Sequence, residues 1–540
     1  MLVADFVEDT NGNLLTISNP QQTAQQGGAF TVSDTLGRTL LSSSGLGTTG
    51  NTISVAGLPN PYTFTWTTAA VNFSTTWTNT KRNAAYGCRA PNTSFSTSYS
   101  EVQVITLPNG KQYTFTYDPT YGTLSQITYP IGGWIRYTWG LNLQSENAYT
   151  LNGKGQLDGT CAYRFDIPAL ATRQVSFDGQ TIALQQDFTY VTNWNATDPT
   201  KWDTKQTTVT THDLITGQVY QTVYSYSSFG ITYYGFNQIA LRNLVPLEAS
   251  TAYKDTAGAT LKTVNKTWYD QYMLKSESTT LDNGLTSQVT YTYSSAGAQI
   301  TEKDEYDFGQ TTPTRKTIHN YQSFANSPTL SAGASVFDRP CQMIVYDSSG
   351  NRVAETDYYY DGSTGATPCS TAATQSLPGT GNYTSHDETL YGPASTAPRG
   401  NLTTVVKQCF QAAQTCPSGN PSSSYSYDET GQLLTATDAL GHSTTYSYAD
   451  RFTDTTPPGV TNAYLTTITR PATNGVAHVQ NFSYAYSDGQ LTISADENSL
   501  QTTYAYNDSL RRLTETDSPN GGQILISRKR QIQTVCTVCE

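Results

Sequence analysis

"YSYDETGQLLTATDALGHSTTYSY", residues 425–448, opens and closes on the same tripeptide. Tyr425 and Tyr427 precede Asp428 and Gly431, then Asp438 and Gly441 follow, and Tyr446 and Tyr448 close the phrase. Tyr-x-Tyr puts both rings on one face of a strand, because side chains alternate. Asp-x-x-Gly is turn chemistry: the carboxylate bonds back to nearby N–H groups and glycine supplies positive φ. The stretch therefore predicts β-hairpins, each unable to bury its own face.

The phrase recurs. Leu433 lies 15 residues before Tyr448, Leu491 15 before Tyr506, and Leu124 15 before Trp139. Aromatic pairs return at Tyr137/Trp139, Tyr224/Tyr226, Tyr291/Tyr293, Tyr358/Tyr360, Tyr484/Tyr486 and Tyr504/Tyr506. Asp-x-x-Gly returns at Asp9, Asp34, Asp255 and Asp347. Where it is clean the period is 20 or 21 residues (Tyr486 to Tyr506, Tyr427 to Tyr448). Stacked units of this size predict an all-β chain whose hairpins form one continuous antiparallel sheet, coiled into a solenoid-like shell or cage with tyrosine ladders. An ordinary β-sandwich gives no reason for such a period.

Composition agrees. Charged residues are 13% of the 540, Tyr numbers 38 and Met 3, and the net charge is −12. So few charges argue against disorder, and aromatic and β-branched residues suit strands. Arg528-Lys529-Arg530 is the single basic cluster and reads as a solvated face, so no nucleic-acid partner is expected. No apolar run reaches the length of a membrane-spanning helix. The start "MLVADFVEDTNGNLL" carries no secretory signal pattern and reads as the interior of a strand and turn, which suggests a piece of something longer.

Residues 425–448 resemble the YD repeat of the Rhs family, which includes bacterial Rhs polymorphic toxins, the C components of Tc insecticidal complexes and the animal teneurins. The likeness extends over 484–517 and 107–139, and more loosely over 9–41. It implies a hollow β-cage around a toxic C-terminal domain, or a rigid extracellular barrel. It also implies the function: a structural shell or scaffold segment of an exported protein, enclosing or presenting an effector absent from this chain. The family's Tyr-Asp-x-x-x-Gly-Arg-Phe phrase is missing, since Arg451-Phe452 lacks the preceding glycine. The organisation expected is degenerate opening repeats over 1–106, inserted repeats over 107–420, clean repeats over 421–520 and a non-repeat tail over 521–540.

No chemistry stands out. The five histidines share no metal-binding spacing, and there is no nucleophile elbow or phosphate loop. His442 takes the place that Arg38 holds in "DTLGR" and reads as a turn-flanking residue. Asp496-Glu497 and Asp304-Glu305 could offer calcium ligands, but turn aspartates ordinarily bond their own backbone. The expectation is no enzyme, no cofactor and no metal. The competing function is an extracellular surface module that binds carbohydrate, or self-associates, through tyrosine-rich faces.

Eight cysteines, mostly in apparent insertions, suit structural disulfides in an oxidising, extracellular or cell-surface setting. "CFQAAQTCPSGNP" predicts a local Cys409–Cys416 clasp, with Cys341–Cys369 and Cys88–Cys161 as wider pairs. Cys536-x-x-Cys539 stands alone, a weak zinc signal.

Overall fold

A computed structural model describes residues 5–18, 27–82, 93–150, 161–197, 201–234, 240–294, 299–324, 336–363, 367–370, 376–379, 385–409 and 419–526. Among these residues there are 33 strands in one sheet. The only helix among them is the single turn Glu388–Tyr391. Strands pair antiparallel, mostly with the strand next in sequence. The sheet does not close into a barrel.

The repeat unit shows why the sequence folds this way. In strand Ser422–Tyr427, Ser422, Ser424 and Ser426 face solvent while Ser423, Tyr425 and Tyr427 are half-buried on the other face. It pairs with Leu433–Thr437, Tyr425 opposite Ala436, and the register slips at Tyr427. Leu433–Thr437 pairs onward with Ser443–Ser447. Between the first two strands, Asp428 Oδ1 accepts from the N–H groups of Thr430 and Gln432. Asp438 repeats this with Leu440 and His442. Asp9, Asp34, Asp255 and Asp347 do the same, each accepting from residues two and four ahead. The glycine that follows has positive φ, 81° at Gly431 and 85° at Gly441.

The residue after that glycine also turns back to the aspartate. Arg38 Nε donates to Asp34 Oδ2 at 2.8 Å, and His442 Nδ1 lies 3.1 Å from Asp438 Oδ2. His442 is thus the counterpart of Arg38. Asp496 accepts from its own turn, while Glu497 pairs with Arg470 and His478.

The sheet is one layer thick over most of its length. Few apolar side chains are fully buried, among them Ala69, Trp134, Cys341, Tyr360 and Tyr391.

Long ribbons project from the middle. Trp134–Thr150 pairs with Cys161–Ser176 along most of its length. The far end of the second strand also takes up Trp77–Arg82, with Phe165 opposite Trp77. The far end of the first meets Ala240–Lys254, Tyr149 opposite Arg242. Where these ribbons meet, Asp166 accepts from Thr76 N and Gln144 N, both at 2.7 Å. Burial opposes the Asp166 carboxylate, but the bonds from Thr76 and Gln144 outweigh it and hold the group below the usual range. Lys205 Nζ reaches Ser145 O and Glu146 Oε1, and Trp194 Nε1 donates to Gln144 O.

The sheet also continues past residue 520. Gln523–Leu525 pairs with Glu515–Asp517, so the last strand lies inside the segment expected to be a non-repeat tail.

Candidate functional site: the seam between the first and last repeats

The coil returns on itself. The turn Asp9–Asn13 rests on residues 385–401 and on the Asp428 turn, about four hundred positions along the chain. Leu14 N donates to Ser385 O at 2.9 Å, and Asp387 N donates to Gly12 O at 2.8 Å. Asn13 Nδ2 donates to Thr430 O at 2.9 Å. Asn11 is the hub. Its carbonyl accepts from His386 Nε2 at 2.8 Å and Arg399 Nη1 at 3.2 Å, and its Oδ1 accepts from Asn401 Nδ2 at 2.8 Å.

Two glycines make room for this contact. A Cβ on Gly12 would stand 2.6 Å from Tyr391 Cβ, and one on Gly431 2.5 Å from Asn11 Nδ2. Both also sit at positive φ, 86° and 81°. Glycine is required at each for backbone conformation and for close approach alike.

Arg399 fastens the inside. It is 2% exposed. Its guanidinium donates to Glu429 O at 2.6 Å, Tyr391 O at 2.5 Å and Gly392 O at 3.1 Å, as well as to Asn11 O, and lies over the Tyr391 ring. Asp361 Oδ2 accepts from the backbone of Arg399 and Gly400, and Oδ1 from Asn401 N. Burial pushes the Asp361 carboxyl up, against the three backbone bonds and the Arg399 charge. Burial likewise lowers Arg399, against Asp361 and Glu429. A cavity of about 380 Å³ borders this knot, with Asp361, Arg399, Asn401, Tyr425 and Tyr427 in its wall.

Further rungs follow. Arg38 donates to Tyr486 O and to Tyr464 Oη, and its guanidinium stacks on the Tyr486 ring. Tyr464 stacks on Tyr484 at 4.8 Å between centroids, and Phe452 packs edge-on against Tyr464 and Tyr486. Gly57 meets Asp488, which Arg511 holds at 2.7 Å. Successive opening turns thus lie against successive closing turns, as in one coil of a spiral.

The repeat-defining residues act as structural units. Tyr427, Tyr448, Tyr484 and Tyr506 each donate a hydroxyl to a backbone carbonyl of the preceding strand or its approach: Leu402, Leu433, Leu465 and Leu491. Trp139 Nε1 does the same to Leu124 O. In the pair Tyr484/Tyr486 it is the first ring that does so, while Tyr486 joins the Arg38 rung. Tyr504 Oη bonds Ser494 Oγ. Tyr425 and Tyr446 are half-buried.

Cys341, fully buried, is bridged to Cys369 with Cα atoms 5.1 Å apart. Cys409 is also disulfide-bonded, but Cys416 lies outside the described residues. So do Cys88 and the Cys536/Cys539 pair, and only the backbone of Cys161 is described. Asn11, Asp361 and Arg399 were not singled out from the sequence. Asp361 had a signal, since it follows Tyr360 as Asp428 follows Tyr427. Arg399 had none.

These features define an open, single-sheet β-hairpin repeat protein whose opening turns pack against turns about four hundred residues further along. No protein-family model matches the chain, and no curated protein matches it. Among solved structures it is similar to the Tc holotoxin pore of Photorhabdus luminescens at 15% identity and TM-score 0.29, over 94% of this chain and 21% of that one. It is similar to a TcdB2–TccC3 structure at 13% identity and TM-score 0.18, over 94% and 30%. The chain therefore spans less than a third of either matched chain. TM-scores this low do not identify a shared fold, and the strand pairing alone defines the fold here.

Proposed function

We propose that the chain is a structural shell or scaffold segment of an exported Rhs/YD-repeat protein, acting at the cell surface or outside it. In this reading the shell encloses or presents an effector domain of a larger protein, and it carries out no catalysis in that role.

The observation that carries the reading is the single sheet of 33 strands among the described residues, in which few apolar side chains are fully buried. A sheet with so little core of its own suits the wall of an enclosed space. The repeat tyrosines support the shell over a sugar-binding face: Tyr427, Tyr448 and Tyr506 are half-buried, with their hydroxyls committed to backbone carbonyls. A ring in that position has little to offer a sugar hydroxyl.

Solution X-ray scattering tests the reading. A compact globule of this length has a radius of gyration of roughly 24 Å. The shell predicts a clearly larger value, with a distance distribution depleted at its centre. A compact radius with a single central maximum would overturn it.

A further inference from the structure

We propose that Asn11 is a self-modifying site gated by the seam: it deamidates through its own backbone only while the seam is open, and the product cannot re-enter the closed seam. The inference goes beyond the shell reading and does not depend on what the shell contains.

The chemistry is intramolecular and needs only hydroxide and water. The Gly12 nitrogen gives up its proton and attacks the carbonyl carbon of the Asn11 side chain. The new C–N bond closes a succinimide ring, and the side-chain amide leaves as ammonia. Water then opens the ring at either carbonyl, giving aspartate or isoaspartate. A glycine in second place favours the step, because no side chain crowds the attacking nitrogen.

Five Asn-Gly pairs lie among the described residues, beginning at Asn11, Asn109, Asn283, Asn474 and Asn520. Each joins two paired strands. The local turn bond is shared: Gly12 N donates to Asp9 O at 3.1 Å, Gly110 N to Leu107 O at 2.8 Å, Gly284 N to Leu281 O at 3.0 Å and Gly521 N to Ser518 O at 3.0 Å. Long-range contacts set Asn11 apart.

Those contacts hold the atoms that the reaction must move. Asn11 Oδ1 accepts from Asn401 Nδ2 at 2.8 Å, and the Asn11 carbonyl accepts from His386 Nε2 and Arg399 Nη1. Gly12 is buried against Tyr391, and its carbonyl accepts from Asp387 N at 2.8 Å. Gly431 closes the space beside Asn11 Nδ2, where a Cβ would stand 2.5 Å away. Swinging the side chain onto the Gly12 nitrogen breaks the Asn401 bond and takes Asn11 out of this space. At Gly110, Gly284, Gly475 and Gly521 a Cβ would meet nothing within 4 Å.

The main product does not fit back. In isoaspartate the chain runs through the former side chain and is one methylene longer. The carbonyl that served His386 and Arg399 becomes a free carboxylate, off the chain's path. The turn loses its register with both donors, and Gly431 leaves no room for the displaced group.

Peptide mapping by mass spectrometry tests the gate on the full chain, kept at mildly alkaline pH and sampled over time. Asn11 is expected to convert roughly tenfold or more slowly than the other four, because its rate follows the population of the locally opened state. In denaturant the five should converge. Asn401→Ala removes the Oδ1 partner and should speed Asn11 several-fold in the folded chain, with the other four unchanged. Asn11 converting as fast as the others in the folded chain would overturn the gate. So would an Asn11 that stays slow in denaturant, a result that decides the matter even if Asn401→Ala fails to fold. Hydrogen exchange at Leu14 N and Asp387 N, which bond across the seam, reads the consequence. Their protection should hold while only the other four pairs have converted, and fall once Asn11 has. Protection retained after Asn11 converts would show that the product does re-enter the seam, and would overturn that half of the proposal.

Discussion

Tyr448 Oη donates to the carbonyl oxygen of Leu433 at 3.2 Å, across 15 residues of chain. That spacing is the interval at which the leucine and the aromatic recur in sequence. The ring leaves the end of one strand and caps the start of the strand before it. Tyr506 to Leu491 and Trp139 to Leu124 are the same bond at the same spacing.

Tyr448→Phe keeps the ring and removes the hydroxyl. It is expected to cost about 1 kcal/mol of local stability, the net worth of one such bond. Exchange of the Leu433–Thr437 amides should quicken accordingly, with Tyr506→Phe doing the same at Leu491–Ala495. Unchanged exchange at both sites would show that the rings matter by packing alone.

Arg399→Met removes the donor to four backbone carbonyls and leaves Asp361 buried without its cation. A loss of about 3–5 kcal/mol is expected, read as a lower thermal midpoint and faster proteolysis within 385–401. Arg399→Lys should rescue only part, because an ammonium cannot span the same fork of carbonyls.

Asp428 and Asp438 occupy equivalent turns with opposite pH signatures. The backbone of His442, then its ring and Leu440 N, hold the exposed Asp438 low. Its contribution is present above the ordinary carboxylate range and lost as pH falls through its lowered value. Burial raises Asp428, so its charge opposes folding at neutral pH and that cost fades as pH falls. Asp438→Asn should therefore weaken its hairpin most at neutral pH. Asp428→Asn should relieve the buried charge there, with the difference shrinking in acid. Exchange protection of the two hairpins measured against pH distinguishes them.

Cys341→Ser opens a loop of 28 residues that ties the insertion to the sheet. A loss of roughly 3–4 kcal/mol is expected from the freed unfolded chain. Comparing the thermal midpoint of Cys341→Ser with that of the unaltered chain, both without reductant, checks it, because reductant would also open the bridge at Cys409.

The repeats were legible because the forces that make them are local. Alternation fixes which face Tyr425 and Tyr427 share, and Asp-x-x-Gly closes a turn within five residues. The link from aromatic to carbonyl was visible wherever the hairpin was short. Where strands lengthen, the same bond spans 20 residues from Tyr190 to Leu170 and from Tyr360 to Pro340, or 25 from Tyr427 to Leu402, so the 15-residue interval no longer marks it.

The sequence by itself thus determined the hairpins, the antiparallel order and the tyrosine face, because each rests on contacts between neighbours in the chain. Tertiary structure alone decided the seam. Asn11 and Arg399 are 388 residues apart, and neither residue type at its position signals the other. Their meeting depends on the summed twist and curvature of the intervening strands, a small rotation per pairing that accumulates over the whole sheet. A local motif fixes the step but not the total. The total places a glycine turn from the first hairpin against a buried arginine almost four hundred residues further along the chain.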